Sequence, residues 1–196
     1  MVLNNSLTVK FDMNKEYILR EVMIGVRKSS QDVSRLTRPS CLDGIEEYMY
    51  VPLDKETSVI ITNELLNKFE INVSDAWDLA RKNLRKRSSI KPMFEVLSSL
   101  IGCECGDYPS SLYVATVDGV SRGGAVGADL ELLRVFAKLH EAKSFVVLPS
   151  SIHEMIVAFD IAEDQMEYMS QMVKEVNSTE VDECDRLTDR AYFIRV

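Results

Sequence analysis

The sequence predicts an α/β protein of the α+β kind: a mixed β-sheet, with a β-hairpin and a β-helix-β unit, covered by helices. Three observations point there. Short apolar or alternating runs at 46–53, 58–62, 112–117, 145–148, 152–159 and 191–196 have the length of strands. Apolar residues recur at helical spacing within 13–28, 74–87, 92–100, 128–140 and 162–176. With 196 residues, 46 % hydrophobic and 28 % charged, the chain has an ordinary globular balance and can bury a core without staples. Residues 1–40 read as an N-terminal helix and linker and 41–196 as the α/β domain, together one compact unit.

Taken in order, Ile18, Val22 and Val26 recur at spacing four, so 13–28 is predicted as the first helix, with Asp12 as its cap. The polar stretch 29–42, with Pro39, reads as a linker. In 46–53, Tyr48, Tyr50 and Pro52 share one face and Met49, Val51 and Leu53 the other; a turn at 54–57 returns the chain as 58–62, making a hairpin. A short helix covers 63–69. Ser74 then caps a helix whose early acids, Asp75 and Asp78, and basic end suit the helix dipole, with Trp77, Ala80 and Leu84 as its buried stripe. Pro92 opens a helix that stops at Gly102.

In the last third, strand 112–117 leads through a glycine-rich loop, 119–127, into helix 128–140, whose Leu132, Val135, Phe136 and Leu139 are expected to face inward. Strands 145–148 and 152–159 follow. The β-helix-β piece predicts a right-handed parallel crossover, and the next two strands an antiparallel hairpin. A Met-rich amphipathic helix at 162–176 and a strand at 191–196 complete the chain.

Charge is unevenly placed. Residues 160–189 hold ten acids and two bases, so this stretch accounts for the whole net charge of -8. Such a field repels nucleic acid and attracts a basic partner. No basic region followed by an apolar core marks an export signal at the start, and no apolar run reaches the length of a membrane span, so a cytoplasmic location is expected. The four cysteines then read as thiols.

Four stretches invite a chemical reading. In "LPSSIHEMIV", residues 148–157, two serines stand beside His153 and Glu154. If 151–155 is a strand, Ser151 and His153 share a face about 6.6 Å apart, too far for a nucleophile-base pair. A turn whose hydroxyls satisfy backbone groups is the preferred reading. Cys103-Glu104-Cys105 could join His140, His153 or Cys184 around zinc, but structural zinc wants two ligand pairs and one is present. The loop "GVSRGGAVGAD" follows a strand and opens a helix, the setting of a phosphate site, and Arg122 would help. It fits neither dinucleotide nor P-loop pattern, and Asp129 would oppose an anion, so a flexible connection is the default. Arg81, Lys82, Arg85, Lys86 and Arg87 form a solvated helix end or an internal counter-patch for the acidic segment. Met166, Met169 and Met172 are core or an adaptable contact surface.

"VLPSSIHEMIVAFD", "MVKEVNSTEV" and "LTDRAYFIRV", in that order, resemble a bacterial family known as a domain of unknown function; "CLDGIEEYMYVPLD", "VIITNELLNKFEI" and "AWDLARKNL" match it less sharply. The resemblance spans roughly residues 41–195. It implies an α/β fold and carriage by gut bacteria and their mobile elements, and it implies no catalytic residue.

The expected function is therefore that of a non-catalytic acidic binding protein. Its partner surface would be Asp160, Glu163, Asp164, Glu167, Glu180, Asp182, Glu183 and Asp185, facing a basic protein such as a nucleic-acid-binding effector. An inhibitor of a defence nuclease, of the anti-CRISPR kind, is its concrete form. No cofactor, metal, membrane or direct nucleic-acid contact is expected. The alternative is a hydrolase or nuclease using His153 and Glu154.

Overall fold

The computed structural model describes residues 13–30, 35–55, 57–102 and 111–196. The predicted first helix divides in two. Helix α1 (Lys15–Glu21) starts at Asn14, whose side chain accepts from the Tyr17 N–H, and the chain then extends as β1 (Met23–Lys28). Ile18, Val22 and Val26 are all buried, as their spacing implied, but so are Met23 and Ile24. A continuous buried run is the mark of a strand covered on both faces. Gly25 belongs to that strand: it pairs with Tyr48, and a Cβ there would stand 2.6 Å from Tyr48 Cζ. The expected cap Asp12 lies outside the described residues.

The first sheet adds β2 (Thr37–Pro39), β3 (Ile45–Pro52) and β4 (Ser58–Ile60). β3 is central. β1 runs antiparallel along one side of it, while β2 and β4 share the other. The boundary drawn at residue 40 therefore cuts through a sheet: β1 and β2 are part of the domain, not a helix and linker before it.

Two helices follow, α2 (Asn63–Lys68) and α3 (Val73–Arg87). The cap of α3 is Asn72, not Ser74: its side chain accepts from the N–H groups of Ser74 and Asp75. Trp77, Ala80 and Leu84 are buried as expected.

The second sheet contains β5 (Ser88–Pro92), β6 (Leu112–Val117), β7 (Ser144–Leu148), β8 (Met155–Phe159) and β9 (Tyr192–Arg195), in the order β5-β6-β8-β7-β9. Every direct pairing is antiparallel. β6 and β7 do run parallel, as the crossover predicts, but β8 is inserted between them. The β7-β8 hairpin is as expected. The remaining helices are α4 (Met93–Ile101), the single turn α5 (Ala125–Ala128), α6 (Leu130–Leu139) and α7 (Met166–Glu180). Leu130, Leu133 and Ala137 of α6 are buried, and Leu132 and Phe136 pack half-buried against the core as expected; Val135 and Leu139 are exposed instead.

Period-two alternation gives the second sheet two apolar faces. Tyr113, Ala115, Val117, Phe145, Val147, Met155 and Val157 point into the main core, shared with the first sheet, α1 and α3. Val146, Leu148 and Ala158 point the other way and pack with Met169 and Val173 of α7 in a second, smaller core. No helix among the described residues is long and apolar enough to cross a membrane.

Candidate functional site

β8 begins at Met155, so Ser151 and His153 are not on a strand. They belong to a loop held by its own polar groups. Ser150 Oγ and the Ser151 N–H donate to the Glu154 carbonyl at 2.8 and 3.2 Å, the His153 N–H donates to Ser151 Oγ at 3.0 Å, and Ser151 Oγ donates to Glu154 Oε1 at 3.0 Å. The serine hydroxyls thus do what a turn asks of them. The strand spacing that set Ser151 and His153 apart does not apply, yet Ser151 is buried and committed to Glu154.

His153 links three segments. Its Nδ1 meets the Ser121 carbonyl oxygen, and its Nε2 stands 3.1 Å from Asp185 Oδ2. The backbone follows the same route: the Ile152 N–H donates to the Asp185 carbonyl at 3.0 Å, and Thr116 Oγ1 donates to the His153 carbonyl at 2.8 Å. A general base needs one ring nitrogen open to water or to a substrate hydroxyl. Here both nitrogens lie against oxygens of the protein, so the ring joins the loop before β8 to Ser121 and Asp185.

The glycine-rich loop is a joint between the sheets. The Gly124 N–H donates to the Ile152 carbonyl at 2.9 Å. A Cβ at Gly124 would stand 2.8 Å from the Ser151 and Ile152 oxygens, and one at Gly123 would stand 2.9 Å from the His153 oxygen. Absence of side chains lets two backbones touch. Arg122 turns toward the first sheet, donating from Nη1 to Tyr48 OH at 2.8 Å, while Tyr50 OH donates to the Arg122 carbonyl at 3.3 Å. Burial pushes the Tyr50 hydroxyl pKa up, which keeps it a donor. The Gly124 N–H and the Arg122 guanidinium, which could have served an anion, are engaged within the protein, and the connection is packed, not loose.

The basic end of α3 has its counter-ions close by. Arg81 Nη2 reaches both Glu47 oxygens at 2.9 and 2.7 Å, and Arg38 Nε donates to Glu47 Oε2 at 2.9 Å with its guanidinium 4.1 Å from the Trp77 ring centre. Arg85 grips Asp129 with two bonds, 2.6 and 2.8 Å, and reaches Glu131 at 2.7 Å. Arg87 pairs with Glu21. The partners of this cluster are thus not the acids of 160–189, and only the solvated Lys82 and Lys86 keep the helix-end reading. Glu47 and Asp129 are both buried. Burial works against ionising Asp129, but the Arg85 hydrogen bond, the Leu132 N–H and the nearby arginines outweigh it and hold its pKa below the ordinary value. Sequence reasoning missed this network; its one signal was "IEEYMYV", two glutamates inside an apolar strand.

Seven of the eight predicted partner-binding acids are exposed. Asp160 follows β8, Glu163 and Asp164 lie in the 3-10 turn Glu163–Gln165, Glu167 is in the first turn of α7, Glu180 closes it, and Asp182 and Glu183 follow. Glu163 pairs with Arg195 at 2.7 Å. Asp185 is the exception, half-buried against His153. Asp164, Glu167, Tyr168, Gln171, Lys174 and Asp189 line a concavity of about 620 Å³ on this face. Tyr168 is 67 % exposed there. Of the three methionines, Met169 is buried and Met172 is 37 % exposed, so the stripe is core at one position and surface at another.

Cys103 and Cys105 lie outside the described residues. Asp185 pushes the exposed Cys184 thiol pKa up, which leaves it a poor nucleophile. His140 packs among Tyr113, Phe136 and Phe159. Among the described residues no three His, Cys, Asp or Glu side chains are grouped so as to hold a metal.

Comparison with curated proteins and with solved structures found no match for this chain. A family model does match, over residues 47–195, from within β3 to the end of β9 and including the loop around His153. The chain belongs to the family of unknown function DUF5688.

Proposed function

We propose that this protein is a non-catalytic binding protein whose acidic C-terminal face docks on a basic partner. The observation that carries the reading is the split of α7: Met169, Val173 and Asn177 are buried, while Asp164, Glu167 and Asp189 surround the exposed Tyr168 on its outer side. Acids steer a basic partner in, and an exposed tyrosine supplies the rigid contact that interfaces concentrate energy in. Surfaces built to hold phosphate backbones are the most basic that proteins offer. A nucleic-acid-binding effector is the partner that such a face complements, and inhibition of a defence nuclease encoded against mobile elements, in the anti-CRISPR manner, is the form proposed.

The His153-Asp185 pair is what favours the second reading, a hydrolase or nuclease using His153 and Glu154. The two separate cleanly. Affinity capture from host lysate with the tagged protein, repeated with Tyr168→Ala, should recover a basic partner whose yield drops with the variant. Recovery that is indifferent to Tyr168 and to salt removes the docking face.

A further inference from the structure

The inner side of α7 holds a second feature, separate from the acidic face. Between α7 and the outer face of the second sheet lies a cavity of about 530 Å³. Its sheet wall includes Leu112, Leu148 and Ile156, and its helix wall Met169, Met172 and Val173. That volume is in the range of small-molecule sites, roughly 300–1,000 Å³. Methionine side chains are unbranched and repack around different shapes, which suits a wall that must admit a guest.

Three polar residues, Ser111, Ser150 and Asn177, interrupt the apolar wall. Asn177 lines the cavity one helical turn beyond Val173. Its Nδ2 donates to the Thr188 carbonyl at 3.1 Å and to Asp189 Oδ1 at 2.9 Å. Both of those partners are acceptors, so the carboxamide cannot be turned over, and its oxygen is the group left toward the other side. That Oδ1 is buried and has no hydrogen-bond partner among the described residues. A buried acceptor without a donor is uncommon enough to need a reason.

We propose that this cavity binds a small neutral amphiphile, with its apolar body between the sheet and α7 and a single hydroxyl or N–H donor directed to Asn177 Oδ1. A carboxylate head is disfavoured on two counts. It brings acceptors where a donor is missing, and the Asp189 carboxylate already stands beside Asn177.

The probe is N-phenyl-1-naphthylamine, an apolar fluorophore with one N–H, titrated into the purified chain. Saturable enhancement at a single site is expected. 1-Decanol should displace it at about tenfold lower concentration than decanoate at neutral pH, the worth of about one hydrogen bond. Ile156→Trp, which fills the cavity from the sheet, and Met172→Trp, at a position already 37 % exposed, should each weaken probe binding at least about tenfold with cooperative melting retained. Wild-type binding in either folded variant would overturn the proposal. So would decanoate competing as well as decanol. Absence of probe binding to the wild-type chain would also overturn it, pointing to a protein segment in the cavity instead. If neither variant folds, the decanol-decanoate comparison on the wild-type chain decides.

Discussion

His153 Nε2 and Asp185 Oδ2 meet at 3.1 Å, tying the loop before β8 to the short turn that follows α7. The pair is part-exposed, with 38 % and 25 % of the two side chains accessible. It fixes where the end of the acidic segment rejoins the body of the protein.

His153→Ala and Asp185→Ala should each lower stability by about 1 kcal/mol, the scale of a hydrogen-bonded pair with solvent access. The double variant should cost less than the sum, because the two side chains share one contact. Thermal melting of the four proteins measures this. Partner binding should survive in His153→Ala. Loss of function at an unchanged melting temperature would restore His153 as a catalytic base.

Asp129→Asn keeps an acceptor for the Leu132 N–H but removes the charge that Arg85 grips. It should cost roughly 3 kcal/mol at neutral pH, toward the low end for a broken buried pair because Arg85 reaches solvent. The pH dependence follows from the depressed pKa of Asp129. As pH falls, the unfolded chain takes up this proton first, so the stabilisation is complete above about pH 5 and is lost as pH drops through the folded-state pKa. Melting temperatures between about pH 5 and pH 2 should therefore fall less steeply in Asp129→Asn than in the wild type.

Gly124→Ala should destabilise by about 2–3 kcal/mol, since the neighbours of the added methyl are backbone oxygens at 2.8 Å that cannot swing aside. Chemical denaturation curves give the value. A change below about 0.5 kcal/mol would mean that the joint between the sheets is loose.

The docking face is tested by reversing Glu163, Asp164 and Glu167 to Lys. All three are exposed, so folding should be unaffected while the association rate falls at least about tenfold and loses much of its salt dependence. Screening acts over about 8 Å at physiological salt, so exposed charges elsewhere should contribute little. Glu16 and Asp78 are exposed acids off this face and make the control. Glu21 does not, because it bridges Arg20 and Arg87. Equal rates for both sets of reversals would leave the acids with no role beyond solubility.

Strands with period-two or continuous apolar character were legible in the sequence: β3, β6, β7 and β9 stand where the pattern put them, and β8 begins three residues later than expected, at Met155. β5 was not, because "SSIKP" is a half-buried edge strand without an apolar face of its own. β1 was hidden by coincidence, since Ile18, Val22 and Val26 fall at helical spacing although a helix contributes the first and a strand the last. The acids of 162–180 lie on the outer face of a helix whose inner face is apolar, which periodicity alone could foresee. The Glu47-Arg81 and Asp129-Arg85 contacts join residues 34 and 44 positions apart, and the His153-Asp185 bond joins residues 32 apart. Contacts of that range depend on how the sheets close, which no local pattern encodes.

The insertion of β8 between β6 and β7 sets an order of assembly. As the chain leaves the ribosome, β6 appears with β5 already made, yet its other edge stays open through α5, α6 and the whole of β7. Only when Phe159 has emerged can the β7-β8 hairpin slot its second strand against β6 and bring the main core together. Until then Tyr113, Ala115 and Val117 form an apolar strand with a bare edge, the kind of surface that recruits chaperones or a second copy of itself. The β6 edge is therefore covered only once the chain has been made through residue 159, well after β6 itself.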